Sequence, residues 1–197
     1  MDYIFWCVDT QKEFFEKYKG KYPIPMGDNY LDKFSKISEE ARKIGARIIH
    51  TACWFEDGSE YGYCRMGSEE AKFVEETAPK DFMIIDWASS KGIYFPDLNK
   101  KKEIAITKSD KNLFKGNPYS EAFLHNLGVP IMKRPKFIVY GVDIGETVVE
   151  LMKRGYDVSV IEDANVNLNG QKFKKEDFFN EEEVDINFIK IDEPINL

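Results

Sequence analysis

The sequence predicts an α/β protein built on a mostly parallel sheet that is covered on both faces. Short, continuous apolar runs recur along the chain, and between them lie segments whose apolar residues return every three or four positions. The runs suit strands buried on both faces, and the spaced segments suit helices with one apolar stripe. Strand, helix and strand in repetition give βαβ units and hence parallel pairing. The length of 197 residues suits a single domain, 1–197, with a core of its own.

The elements follow in order. Tyr3 to Val8 is an apolar run that ends at Asp9, and it reads as a buried strand. Asp28 or Asn29 is placed to cap a helix carrying Leu31, Phe34, Ile37 and Ala41, which Gly45 closes. Residues 47–51 form the next strand. Residues 82–86 suggest a short strand, and 103–107 a stronger one that ends at Lys108. Residues 118–127 read as a helix closed by Gly128, and 136–140 as a strand followed by Gly141. A helix over 146–154 ends at Gly155, a strand over 157–161 ends at Glu162-Asp163, and 186–191 suggest a last strand at an edge. Residues 171–197 mix Phe178, Phe179, Ile186, Phe188 and Ile189 with many acids, which suits an edge strand or a dimer contact.

Charge and composition narrow the function. Lys plus Arg number 28 and Asp plus Glu 35, a formal net charge of −7, so the chain repels a phosphate backbone at long range. The lysines at 100–102 form a short run that reads as a solvated loop. Nucleic acid is set aside as a partner. No apolar run is long enough to span a bilayer, and the first residues, with an acid at Asp2, lack the shape of a signal peptide. Three cysteines at irregular spacing suit neither a disulfide framework nor a zinc site. A cytoplasmic protein, with no membrane partner, is expected.

In a parallel sheet, ligands bind beyond the carboxyl ends of the strands. Asp9, Thr51, Lys108 and Gly141 each stand at or just past such an end. Asp9 and Lys108 would bring opposite charges to one cleft, where a carboxylate beside an ammonium can act as general acid or base. The plainer alternative is that each charge caps its strand and faces solvent.

The motifs around these positions resemble those of the isochorismatase/nicotinamidase-like hydrolases. Val8-Asp9-Thr10-Gln11-Lys12-Glu13-Phe14-Phe15 is similar to that family's first-strand motif, in which an apolar strand runs into Asp-x-Gln and then Phe. Ile48-Ile49-His50-Thr51 resembles its second strand, and Cys64-Arg65-Met66-Gly67-Ser68 its Cys-x-x-Gly-Thr segment. The stretch from Lys108 to Asn117 resembles its catalytic-lysine segment, with Phe114 at +6 and Gly116 at +8. Tyr140-Gly141-Val142, Arg154-Gly155-Tyr156-Asp157-Val158 and Val160-Ile161-Glu162-Asp163-Ala164 complete the series, which spans about residues 3 to 164. The resemblance implies a three-layer sandwich with a parallel sheet of about six strands, hydrolysis of a small amide or vinyl ether, and assembly as a homo-oligomer. It makes Asp9 the acid/base carboxylate and Lys108 the group holding charge at the reacting centre. Gln11, Phe14, Trp54, Tyr63 and Val142 would line the substrate site. Trp54, Tyr63, Phe14 and Phe15 serve equally as pocket walls or as core.

The sequence departs from the family where the nucleophile belongs. The family's amidases carry a cysteine at the start of the helix after the Gly-Val turn, where the helix N-terminus lowers the thiol pKa. Here Gly141-Val142 is followed by Asp143-Ile144-Gly145-Glu146-Thr147-Val148, and no cysteine occurs from 65 to 197. The interval to Gly155 is about four residues short, roughly one helical turn. Thr147 or Asp143 takes the nucleophile's place according to where the gap falls, and Gly145 resembles the glycine of true isochorismatases if the gap is split. Neither Thr147 nor Asp143 substitutes directly for a thiolate. Cys53-Trp54-Phe55 stands where nicotinamidases carry the metal-binding Asp-Trp-His, and Tyr63 replaces the third ligand. His50 and His125 read as structural or surface residues, so neither a metal nor another cofactor is expected.

Cys53 enters the pocket if the alignment holds, either as a displaced thiol nucleophile or as a small buried hydrophobe. Cys7 and Cys64 read as inert. Three functions remain open: a hydrolase working through Asp9 and Lys108 without the usual cysteine, a non-catalytic protein that binds a small molecule or assembles on the same fold, and a cysteine hydrolase using Cys53.

Overall fold

The computed structural model describes residues 3–89, 100–127, 135–178 and 186–191. The positions of Gly128, Phe179 and residues 192–197 lie outside these. Seven strands form one sheet: β1 (Tyr3–Val8), β2 (Arg47–Cys53), β3 (Met83–Ile85), β4 (Glu103–Lys108), β5 (Lys136–Val142), β6 (Asp157–Val166) and β7 (Asn187–Ile189). Their order is β3-β4-β2-β1-β5-β6-β7, and every pair is parallel. Among the described residues the sheet is thus wholly parallel and holds the seven strands read along the sequence, one more than the six or so that the family resemblance implies.

The helices are α1 (Leu31–Lys43), a single turn α2 (Leu113–Gly116), α3 (Ser120–Asn126) and α4 (Gly145–Lys153). They divide the core into two layers. On one face Leu31, Phe34, Ile37 and Ala41 of α1 pack with Phe5, Cys7, Ile48, Ile138 and Tyr140. On the other, Phe123 and Leu124 of α3 and Val148 and Leu151 of α4 pack with Ile4, Trp6, Val8, Ile104, Ile106 and Val139. The alternation of β1 residues between the layers is the period-two geometry of a strand, and it explains why a strand buried on both faces is apolar throughout. Helix, sheet and helix make the three layers.

Two local expectations are corrected. Asp28 does not cap α1. A 3₁₀ turn, Gly27–Tyr30, precedes the helix, and the Asp28 carboxylate instead accepts the Lys17 N–H at 2.9 Å. β6 does not stop at Glu162-Asp163 but runs to Val166. Its register against β5 shifts between Val139 and Gly141, and such a bulge lets a strand carry polar residues without ending.

Sheet order determines where the site lies. The chain passes from β1 to β2 and β4 on one side, then crosses to β5, β6 and β7 on the other. The carboxyl ends of β1 and β5 therefore mark the switch point of this sheet.

Candidate active site

Asp9 follows the last residue of β1. Its backbone takes a left-handed conformation, φ 48°, which aspartate tolerates better than most residues, and its N–H donates to Thr51 O of β2 at 3.0 Å. Lys108 ends β4, and Cys53 ends β2 directly opposite it in the parallel register. Three strand ends thus bring three side chains together.

The contacts are direct. Lys108 Nζ lies 2.8 Å from Asp9 Oδ2, and Cys53 Sγ–H donates to the same oxygen at 3.3 Å. No side chain separates the pair. Lys108 also donates to the Lys111 carbonyl at 2.7 Å, so two of its three N–H bonds are fixed. Both charged side chains are buried, 2% exposed for Lys108 and 6% for Asp9, while Asp9 Oδ1 has no hydrogen-bond partner among the described residues. A buried carboxylate oxygen held beside an ammonium and left without a donor is a group free to accept one.

Burial alone would lower the Lys108 ammonium, but the Asp9 charge outweighs it and raises the pKa above the ordinary value, so the lysine stays protonated. Burial, then the Asp9 charge, pushes the Cys53 thiol well up, with Lys108 opposing. At rest the triad is therefore an ammonium, a thiol and the carboxylate they share.

Gln11 anchors the arrangement. Its amide donates to Cys53 O at 2.8 Å and to Ala71 O at 2.7 Å, and accepts Cys53 N–H at 2.8 Å. Both ends of the amide are engaged by backbone, and Cys53 is held at its N–H and its carbonyl. Phe14 and Val142 are set in the core. Tyr63 and Trp54 are partly exposed and pack on that core. Tyr63 meets the Phe14, Phe55 and Tyr22 rings edge-on. Its phenol pKa is raised, first by burial and then by the nearby Cys53 and Asp143 charges.

The positions considered for a nucleophile separate clearly. Asp143, just past β5, is again left-handed at φ 50°, and it lies close enough for its charge to act on Cys53 and Lys108. Burial raises its pKa, opposed by Lys111. Gly145 begins α4, and a Cβ added there would stand 3.1 Å from the Phe173 ring. Thr147 is buried in α4. Sequence reasoning passed over Lys111 and Tyr61. The Lys111 ammonium lies 5.9 Å over the Tyr61 ring, and its carbonyl fixes Lys108. Its spacing of three from Lys108 was the available signal.

The other polar residues are structural. His50 Nε2 pairs with Glu103 Oε2 at 3.1 Å, both buried, and His125 sits on the exposed side of α3. Cys7 bonds Thr10 at 3.3 Å, and burial raises its pKa to about 11. Cys64 N–H donates to Glu13 Oε2 at 3.0 Å. The donor set does not fit a catalytic metal: Phe55 lies in the aromatic core, and among the described residues no group of three or more His, Cys, Asp and Glu is placed to hold an ion. Among those residues, too, no helix is long and apolar enough to cross a membrane.

No protein-family model matches the sequence, and no curated protein matches it at a significant level. Solved structures do match the fold. The N-carbamoylsarcosine amidase of Thermoplasma acidophilum superposes with a TM-score of 0.71 at 16% identity, covering 98% of each chain. An isochorismatase-like hydrolase from Alkaliphilus metalliredigens gives 0.69 at 14% identity, covering 98% of this chain and 96% of its own. The pyrazinamidase of Pyrococcus horikoshii, in a complex with zinc, gives 0.65 at 18% identity, covering 96% and 99%. The chain has the isochorismatase-like hydrolase fold over essentially its whole length.

Proposed function

We propose that this protein is a hydrolase of the isochorismatase/nicotinamidase-like type, acting on a small-molecule substrate through Asp9 and Lys108. The observation that carries the reading is the buried Asp9–Lys108 contact at 2.8 Å, placed at the switch point of the sheet with Asp9 Oδ1 unpartnered. A desolvated ion pair is costly to keep for stability alone, and a buried carboxylate held beside an ammonium at the strand ends has the groups that acid–base chemistry requires.

In this reading Asp9 accepts a proton from the attacking group and returns it to the leaving group. Lys108 holds the carboxylate in place and stabilises negative charge as it develops on the substrate. The solved structures of the same fold, named as an amidase, a pyrazinamidase and an isochorismatase-like hydrolase, support small amides or vinyl ethers as the substrate class. The test is a panel of both compound types assayed with the unmutated protein, Asp9→Asn and Lys108→Met. Turnover that falls at least ~100-fold in Asp9→Asn supports the reading. Absence of turnover by the unmutated protein across the panel overturns it and leaves a non-catalytic binding protein.

A further inference from the structure

The helix that presents the thiol in the amidases of this fold offers none here, yet a thiol meets the Asp9 carboxylate from another strand. We propose that Cys53 is the nucleophile, displaced from the start of α4 to the end of β2, and that the substrate is therefore an acyl compound, a small amide. This rests on the hydrolase reading above and deepens it.

The geometry is that of a built triad. Cys53 Sγ–H and Lys108 Nζ converge on one oxygen, Asp9 Oδ2, at 3.3 and 2.8 Å. Parallel register sets Cys53 opposite Lys108, and Gln11 fixes the Cys53 backbone at both its N–H and its carbonyl. Asp9 Oδ1, buried and unpartnered among the described residues, points to a donor that the resting site does not supply. Among the described residues neither of the other thiols bonds a carboxylate: Cys7 bonds Thr10, and Cys64 meets Glu13 through its backbone N–H. The start of α4 supplies no thiol, and a Cβ added at Gly145 would already stand in tight contact with the Phe173 ring, at 3.1 Å.

The chemistry balances with water as co-reactant. Asp9 takes the Cys53 proton as sulfur bonds to the substrate carbonyl carbon, and the C=O electron pair moves onto oxygen. The intermediate collapses, the C–N bond breaks, and Asp9 hands its proton to the leaving nitrogen, giving a thioester and a free amine. Water then attacks the thioester while Asp9 takes its proton, the C–S bond breaks, and the proton returns to sulfur. The third N–H of Lys108 is available to the oxyanion. Since the thiol is neutral at rest, attack depends on Asp9 as base rather than on a preformed thiolate. A vinyl ether presents no carbonyl carbon for this step, which is why the cysteine selects amides.

The experiment is acyl trapping with p-nitrophenyl acetate. The unmutated protein, Cys53→Ser, Cys53→Ala and Asp9→Asn are mixed with the ester, quenched, and peptide-mapped by mass spectrometry, with neutral hydroxylamine separating thioesters from acetylated lysines. Each variant's fold is checked by circular dichroism, and each is also assayed on the amide panel. The expected result is a hydroxylamine-labile acetyl group on Cys53, formed at least ~100-fold more slowly in Asp9→Asn. No adduct on Cys53 overturns the proposal, as does amide turnover by Cys53→Ala at the unmutated rate. In the latter case, loss of turnover in Asp9→Asn leaves the hydrolase reading standing. A Cys53 thioester without turnover of any amide or vinyl ether in the panel supports the nucleophile and defeats the hydrolase reading, whereas turnover of vinyl ethers alone overturns the amide proposal.

Discussion

Replacing Lys108 by Met isolates the energetic core of the site. Met approximates the length of the lysine stem but removes the ammonium, so Asp9 becomes a buried carboxylate without its counter-charge. An exposed ion pair would be worth at most about 1 kcal/mol. Here the two side chains are only 2% and 6% exposed, so the figure for breaking a buried pair applies, about 3–5 kcal/mol. For a domain of this size each kcal/mol moves the melting temperature by about 2–4 °C, which gives a drop of about 6–20 °C for Lys108→Met. Thermal and urea unfolding at pH 7 measure it. The double variant Asp9→Asn/Lys108→Met removes the orphaned charge and should lose less than Lys108→Met alone. A single-variant cost below about 1 kcal/mol, or a double variant whose loss equals the sum of the two singles, would refute a tight, desolvated pair.

Three further outcomes follow from the same structure. Gln11→Leu leaves the buried N–H of Cys53 and the carbonyls of Cys53 and Ala71 without partners. At about 1–3 kcal/mol per unsatisfied group, it should cost several kcal/mol in urea unfolding and lower activity by loosening Cys53. Gly141→Ala should cost at least about 3 kcal/mol in the same assay, because φ is +124° and a Cβ would lie 2.3 Å from Val8 O. His50 is held neutral, its pKa lowered first by burial. Glu103, which burial alone would raise, is held down at about 2 by hydrogen bonds from His50 and Arg42 and from the Lys80 backbone. For His50 the unfolded chain binds the extra proton below its ordinary value of 6.5, and for Glu103 below 4.5, so each stabilises the fold at neutral pH and loses that contribution as pH falls. His50→Gln should therefore flatten the decline in stability between pH 7 and 5, by up to about 1.4 kcal/mol per pH unit. An unchanged slope would show that His50 does not titrate on unfolding.

Much of the frame was legible because buried parallel strands are apolar from end to end and stop at a polar residue. Asp9 and Lys108 stood out for that reason, and the sheet's order then made them neighbours. What escaped was set by backbone geometry. The Cys53 contact depends on the left-handed turn at Asp9, which residue types alone do not specify. The polar pair Glu162-Asp163 reads as the end of a strand, whereas a bulge carries β6 on to Val166. Asp28 has the chemistry of a helix cap but is used by the Lys17 N–H. The hold of Gln11 on the backbone of Cys53 and Ala71 is made by contacts 42 and 60 residues away in sequence, which local pattern does not reveal.

The central claim is that the Asp9–Lys108 centre hydrolyses a small molecule. The measurement closest to it is kcat/KM of the unmutated protein and of Asp9→Asn on the best substrate of the amide and vinyl-ether panel. The account predicts a loss of at least ~100-fold in Asp9→Asn, with the fold intact by circular dichroism. A kcat/KM in Asp9→Asn within about twofold of the unmutated value, about 0.4 kcal/mol in transition-state stabilisation, would contradict it.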